Sequence, residues 1–207
     1  TAAGKYLDVY SSQGEEYVEK IYGPYLSLLL PMLSKSGDRI VYTMNHPDED
    51  LQWVYIDKLS NGWTEETVIP IPPFKVDGQE VKMEIENIAN DGKTLILRST
   101  GPSSEAVGKN HLAVMHQVDD GWTEPEYVGN FDFRIFPDHR GELTDVADVS
   151  MYNSNDGRVI AVQQTKRHFV HIGTISYDAY LYIKNDKGKW SKQQVNREGT
   201  EVMQHML

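Results

Sequence analysis

An all-β, antiparallel fold is what this sequence predicts, and three observations predict it. Short runs of Val, Ile, Leu and Tyr recur along the chain, each bounded by Gly, Asn or Asp, as strands and tight turns require. Two turn segments recur three times in the same order, which marks internal repetition. Helical periodicity is weak throughout, and the best case, 15–30, is cut by Gly23-Pro24.

The first turn segment reads Ser34-Lys35-Ser36-Gly37-Asp38, then Ala89-Asn90-Asp91-Gly92-Lys93, then Ser154-Asn155-Asp156-Gly157-Arg158. The second reads Asn61-Gly62-Trp63-Thr64, Asp120-Gly121-Trp122-Thr123 and Gly188-Lys189-Trp190-Ser191. Glycine after Asn or Asp supplies the positive φ that tight hairpins need. Each pair of turns divides a unit into four strands. The first unit, 28–71, carries them at about 28–34, 39–44, 51–59 and 66–71. The second, 81–131, carries them at 81–89, 94–99, 111–118 and 126–131. The third, 146–196, carries them at 146–152, 159–164, 179–184 and 192–196. The ends supply pieces of one more unit. These are two strands within 5–22, joined at Gln13-Gly14, and one strand at 201–207. A single domain over 1–207 accounts for all of it.

Composition narrows the function classes. With 25% charged and 39% hydrophobic residues the chain is an ordinary globular one. Its net charge of −11 argues against nucleic acid or anionic lipid as a partner. The longest apolar run, 26–33, contains Ser27 and Pro31 and is far short of the roughly 20 residues that span a bilayer. The absence of cysteine excludes disulfides, thiol nucleophiles and cysteine-ligated metals. Thr1 is not a natural start, so a removed leader or a trimmed chain is expected.

The order strand, Asn-Asp-Gly turn, strand, polar loop, strand, Asp-Gly-Trp-Thr-x-Pro resembles the TolB-type, WD-like β-propeller repeat of bacterial envelope proteins. The resemblance covers 28–196 and is best over 89–129. It departs at Ser34-Lys35-Ser36-Gly37, which lacks the usual Pro-Asp, and after Trp190, where the following Pro is missing. It implies a β-propeller of four-stranded antiparallel blades, either four blades closed by the two ends or part of a larger propeller. It also implies a periplasmic or extracellular location and carries over no catalytic residue. Trp63, Trp122 and Trp190 are expected to pack between blades, each indole N–H finding a local partner.

In such blades the first-to-second and third-to-fourth strand turns share one end, and these turns are short. The other end collects the long connections 45–50, 100–110 and 165–178, with 72–80 and 132–145 between units. Long loops on a rigid scaffold are where binding residues concentrate. Lys166, Arg167, His168 and His171 fall in the last of these connections between second and third strands. Arg134, His139 and Arg140 fall in the preceding unit-to-unit connection. A basic cluster on an acidic body attracts an anionic group, and arginine suits bidentate capture of carboxylate. These seven residues are therefore the expected ligand site, for an acidic sugar, a carboxylate ligand or an acidic protein segment.

Other chemistries are weaker in the sequence. His139, His168 and His171 lack the tight spacing of a metal site, and Asp48, Glu49 and Asp50 do not make a calcium loop. Neither metal nor cofactor is expected. Glu84, Glu86, Asp145 and Asp148 lie on or near first strands and are the candidates if the chain hydrolyses glycans with a carboxylate pair. The turn at Asn153 to Gly157 only faintly matches a sialidase aspartate box, and no serine-nucleophile motif is readable. The catalytic residues are unknown. The expectation is a non-enzymatic module binding a protein or glycan through its long-loop end, with glycan hydrolysis as the alternative.

Overall fold

The computed structural model describes residues 6–10, 17–22, 29–44, 51–100, 109–119, 121–132, 136–137, 143–168 and 175–195. Among these residues there is no helix, and all strand pairs are antiparallel. The chain is all-β, as its residue types predict. Strands β1 (Tyr6–Tyr10) and β2 (Tyr17–Tyr22) pair with each other at the N-terminal end. The expected strand at 201–207 lies outside the described residues.

The first large sheet runs β3 (Leu29–Leu33), β4 (Arg39–Met44), β5 (Gln52–Leu59), with β6 (Gly62–Trp63) and β7 (Thr67–Val68) both on β5. The second holds β8 (Phe74–Val76), β9 (Gln79–Ile88), β10 (Thr94–Thr100) and β11 (Lys109–Val118). Its outer strands β12 (Gly121–Trp122) and β13 (Glu126–Asp132) both pair with β11. The third is β14 (Phe136–Pro137), β15 (Leu143–Asn153), β16 (Val159–His168), β17 (Ile175–Lys184) and β18 (Trp190–Gln194).

Three details differ from the sequence expectation. Both unit-to-unit connections, read as loops, contain a short strand that pairs back onto the next unit. In the first, Asp77 (φ 51°) and Gly78 (φ 80°) form a hairpin turn with two consecutive positive φ values, which matches the twist of its flanking strands. Second, β16 runs to His168 and β17 starts at Ile175, so Lys166, Arg167 and His168 belong to a strand rather than a loop. Third, the second sheet curls. Phe74 on β8 stacks on Tyr127 of β13, centroids 6.2 Å apart, although three strands separate them in the sheet.

The sheets bury both faces where they meet. Val41 of the first sheet joins Ile85, Leu95, Leu97, Ala113 and Met115 of the second, all at 0–4% exposure. From the other side of the second sheet Ile96, Leu112, Val114 and Phe131 meet Ile160, Val162, Tyr180 and Tyr182 of the third. Alternation along β10 explains this: Leu95 and Leu97 face one neighbour and Ile96 the other.

At one end the three repeats share a backbone pattern. Gly37, Gly92 and Gly157 donate to Ser34, Ala89 and Ser154 at 2.9, 2.9 and 3.0 Å. Ser34, Ala89 and Ser154 in turn donate to Arg39, Thr94 and Val159 at 2.9, 2.7 and 2.8 Å. Each later turn also docks on the preceding sheet. A Cβ on Gly92 would stand 3.4 Å from Ser34 Cβ, and one on Gly157 only 2.5 Å from Thr94 Cγ2. Asp91 N donates to Asn155 O at 3.1 Å, and the Asn90 and Asn155 side chains bond each other.

The side chains at equivalent places differ. Arg39, 8% exposed, grips Asp57 with Nε and Nη2 at 2.6 and 2.7 Å and donates through Nη1 to Gly92 O and Gln117 Oε1 at 2.8 and 2.6 Å. Its guanidinium lies 4.2 Å from the Tyr55 ring centroid. At the corresponding register of the second sheet Thr94 faces His116, with Oγ1 and Nδ1 3.0 Å apart. Thr94 donates to Asp91 Oδ2 at 3.0 Å, so His116 Nδ1 carries the hydrogen. Burial, and then Lys184, push the His116 pKa down, against the opposing pull of Glu126 and Asp91. Trp122 and Trp190 pack across sheet junctions as expected, Trp122 edge-on to Tyr55 at 6.1 Å and Trp190 Nε1 donating to Glu126 Oε1 at 2.8 Å. Lys184 completes that cluster with a 2.7 Å ion pair to Glu126. Trp63 packs on Ile40, Tyr42, Val54 and Ile56 of its own sheet.

Candidate functional site

The opposite end of the first and second sheets opens into a cleft of about 540 Å³. Its origin is visible in strand pairing. In the second sheet the outer strand β13 stays on β11 to the end, with Gly129, Asn130, Phe131 and Asp132 opposite Leu112, His111, Asn110 and Lys109. In the first sheet the equivalent strand β7 pairs only at Thr67 and Val68, and the last bond on that side runs from Ile69 N to Trp53 O, 2.8 Å. Pro70, Pro72 and Pro73 follow. Proline has no N–H to continue a ladder, so the chain leaves the sheet. What Phe131 fills in the second sheet, at 0% exposure, is open in the first.

Leu51, Gln52 and Trp53 form one wall of this cleft, and Val68, Ile69, Ile71, Pro72 and Pro73 form the second. The start of β9 closes it with Met83 at the floor and Glu80, Lys82 and Glu84 at the rim. Leu51 is 43% and Val68 48% exposed, so apolar surface is open to solvent here. Lys82 Nζ lies 3.5 Å from Glu84 Oε1, both solvated, which leaves the rim with one carboxylate in excess. An apolar trough with a polar rim holds a ligand by area and orients it by a few charges.

The residues expected from sequence are only partly placed. Arg134, His139, Arg140 and His171 lie outside the described residues. Lys166, Arg167 and His168 occupy consecutive positions on β16, opposite Val146, Asp145 and Thr144 of β15. Asp48, Glu49 and Asp50 also lie outside the described residues. Among the described residues no group of three or more His, Cys, Asp or Glu is arranged to hold a metal ion.

The carboxylate candidates separate. Glu84 sits at the cleft rim, while Glu86, two residues on, is held by Arg98 Nε at 2.8 Å. Asp145 and Asp148 are on β15, opposite Arg167 and Thr165. Sequence reasoning missed Trp53, Val68 and Met83. The outer strand expected at 66–71 is cut to Thr67–Val68, and the available signal was Pro70-Ile71-Pro72-Pro73, where the second unit has Gly129-Asn130-Phe131-Asp132.

Two titratable groups flank the curled hairpin and the turn end. Tyr127 has its pKa raised by burial and by Asp77, with the Asn130 hydrogen bond opposing. Asp156 is lowered by the Ser154 hydroxyl and the Arg158 N–H, as a turn-capping carboxylate should be. Among the described residues no helix is long and apolar enough to cross a membrane. Comparison with protein-family models, with curated proteins and with solved structures returns no match.

Proposed function

We propose that this chain is a non-enzymatic binding module of the bacterial envelope, a TolB-type β-propeller that takes a protein or glycan at its long-loop end. The observation that carries the reading is the cleft at that end, where an outer strand stops short and leaves Trp53, Val68 and Met83 around open space. The propeller reading draws support from three successive sheets of like strand order, with first strands β3, β9 and β15 neighbours and β13 beside β18. The hairpin β1–β2 would contribute to a fourth blade; a chain that is part of a larger propeller fits the same observations. The curl of the second sheet is an addition to a plain four-stranded blade. A periplasmic or extracellular location follows from the resemblance.

The basic residues Arg134, His139, Arg140, Lys166, Arg167, His168 and His171 are a second contact region of the same module, for an anionic group. Glycan hydrolysis is the alternative reading; of its candidate carboxylates Glu86 is paired with Arg98 and Glu84 stands at the cleft rim.

The test is a panel of peptides and glycans, acidic and basic, screened for binding and for turnover. Val68→Trp fills the cleft mouth from an exposed edge strand, and Arg140→Glu with Arg167→Glu reverses the basic region. Binding that falls at least about tenfold in either variant supports the module. Turnover abolished by Glu84→Gln or Asp148→Asn contradicts it, and so does a panel that binds all variants equally.

A further inference from the structure

Resting on that reading of the cleft, we infer that its ligand is an extended, basic peptide segment that adds as a strand to the open edge of β5. The place is a strand position. In the second sheet the same register is filled by the last residues of β13, with Phe131 fully buried among Leu112, Val114 and Ile160. In the first sheet pairing ends where Ile69 meets Trp53. Backbone groups of a strand point to alternate sides, so the next edge-facing group after Trp53 is that of Leu51. Among the described residues no strand pairs with β5 on that side beyond Val68 and Ile69. The edge is flanked by the apolar side chains of Trp53, Val68 and Met83.

An extended peptide matches both features. Its backbone can bond the β5 edge, and its alternate side chains fall into the trough, which is how strand addition combines affinity with selectivity. A large apolar residue is expected where Phe131 stands in the sister sheet. Charge selects the rest. Glu80 and Glu84 outnumber Lys82 at the rim, on a protein of net charge −11, so lysine or arginine beside the apolar residue is favoured. A glycan uses the trough but has no backbone of amides repeating at strand spacing to bond the edge.

The experiment uses the full chain and a labelled peptide with the sequence of 126–132, its two acidic ends replaced by lysine. Binding is read by fluorescence anisotropy. Two further peptides carry N-methyl groups on one or the other alternating set of amides. Strand addition predicts that one set weakens binding at least about tenfold while the other leaves it unchanged. Leu51→Pro, which removes the edge N–H, should weaken binding similarly, and because the methylated peptides leave the protein untouched the test survives if that variant misfolds. If both methylated peptides bind like the parent, strand addition is wrong while cleft binding stands. If the peptide fails but a glycan binds and is blocked by Val68→Trp, the peptide class is wrong and the module reading stands. If neither binds, both fall.

Discussion

The two ends of the sheets follow different rules. At the turn end the backbone repeats three times, with the same hydrogen bonds closing Ser34 to Arg39, Ala89 to Thr94 and Ser154 to Val159, and with glycines of later turns set against earlier sheets. At the loop end the first two sheets part company. The second is sealed by Phe131, and the first is left open by three prolines. A scaffold must keep its packing but can vary what no neighbour requires. The turn end holds the sheets together, and the loop end is where this chain departs from its own repeat.

The largest loss of stability is expected at Arg39. Removing it by Arg39→Ala strips Asp57 of a two-bond partner and takes bonds from Gly92 and Gln117. A loss of about 3 kcal/mol is expected in denaturant unfolding. Gly157→Ala comes next. Its φ is +67°, and the new Cβ would meet Thr94 Cγ2 at 2.5 Å, so about 2 kcal/mol is expected from strain and overpacking together. Gly37→Ala sharpens this, because φ is +73° there but nothing lies within 4 Å. About 1 kcal/mol is expected, and the difference between the two isolates the docking contact. Equal losses would mean that the turns do not bear on neighbouring sheets.

The smallest effect is a pH dependence. His116 titrates below its ordinary 6.5 in the folded chain, chiefly through burial. The unfolded chain therefore binds more protons below about pH 6.5, and stability falls as pH drops through that value toward the folded pKa. Thr94, Asp91, Glu126 and Lys184 face the ring, and Glu126 and Asp91 temper the effect. Unfolding midpoints between pH 7 and 5 should fall less in His116→Gln than in the parent, since the variant has no imidazole to charge.

Much of the fold could be read from residue types. The strand expected at 39–44 is β4, Arg39–Met44, and that expected at 126–131 is β13 but for one residue. Arg39–Met44 carries Ile40, Val41 and Tyr42 directly after the Gly37 turn, so local signal and tertiary role agree there. The short strand β8 and the first two residues of β9 are hard to see behind Pro72-Pro73, although Val76-Asp77-Gly78-Gln79 carries the Asp-Gly signal of a tight turn. The extension of β16 to His168 was hidden by a basic run that looks solvated. The cleft escaped for another reason. It arises from a strand that stops short in one sheet and runs on in its sister, and only register shows which positions correspond.

The division between a holding end and a binding end is tested most directly by measuring unfolding free energy for Gly157→Ala and Val68→Trp in the same denaturant series. A loss of about 2 kcal/mol is expected for the glycine variant and a change within about 0.5 kcal/mol for the exposed valine, as surface positions show. A Val68→Trp variant as destabilised as Gly157→Ala would contradict that division, because the cleft would then be part of what holds the sheets together.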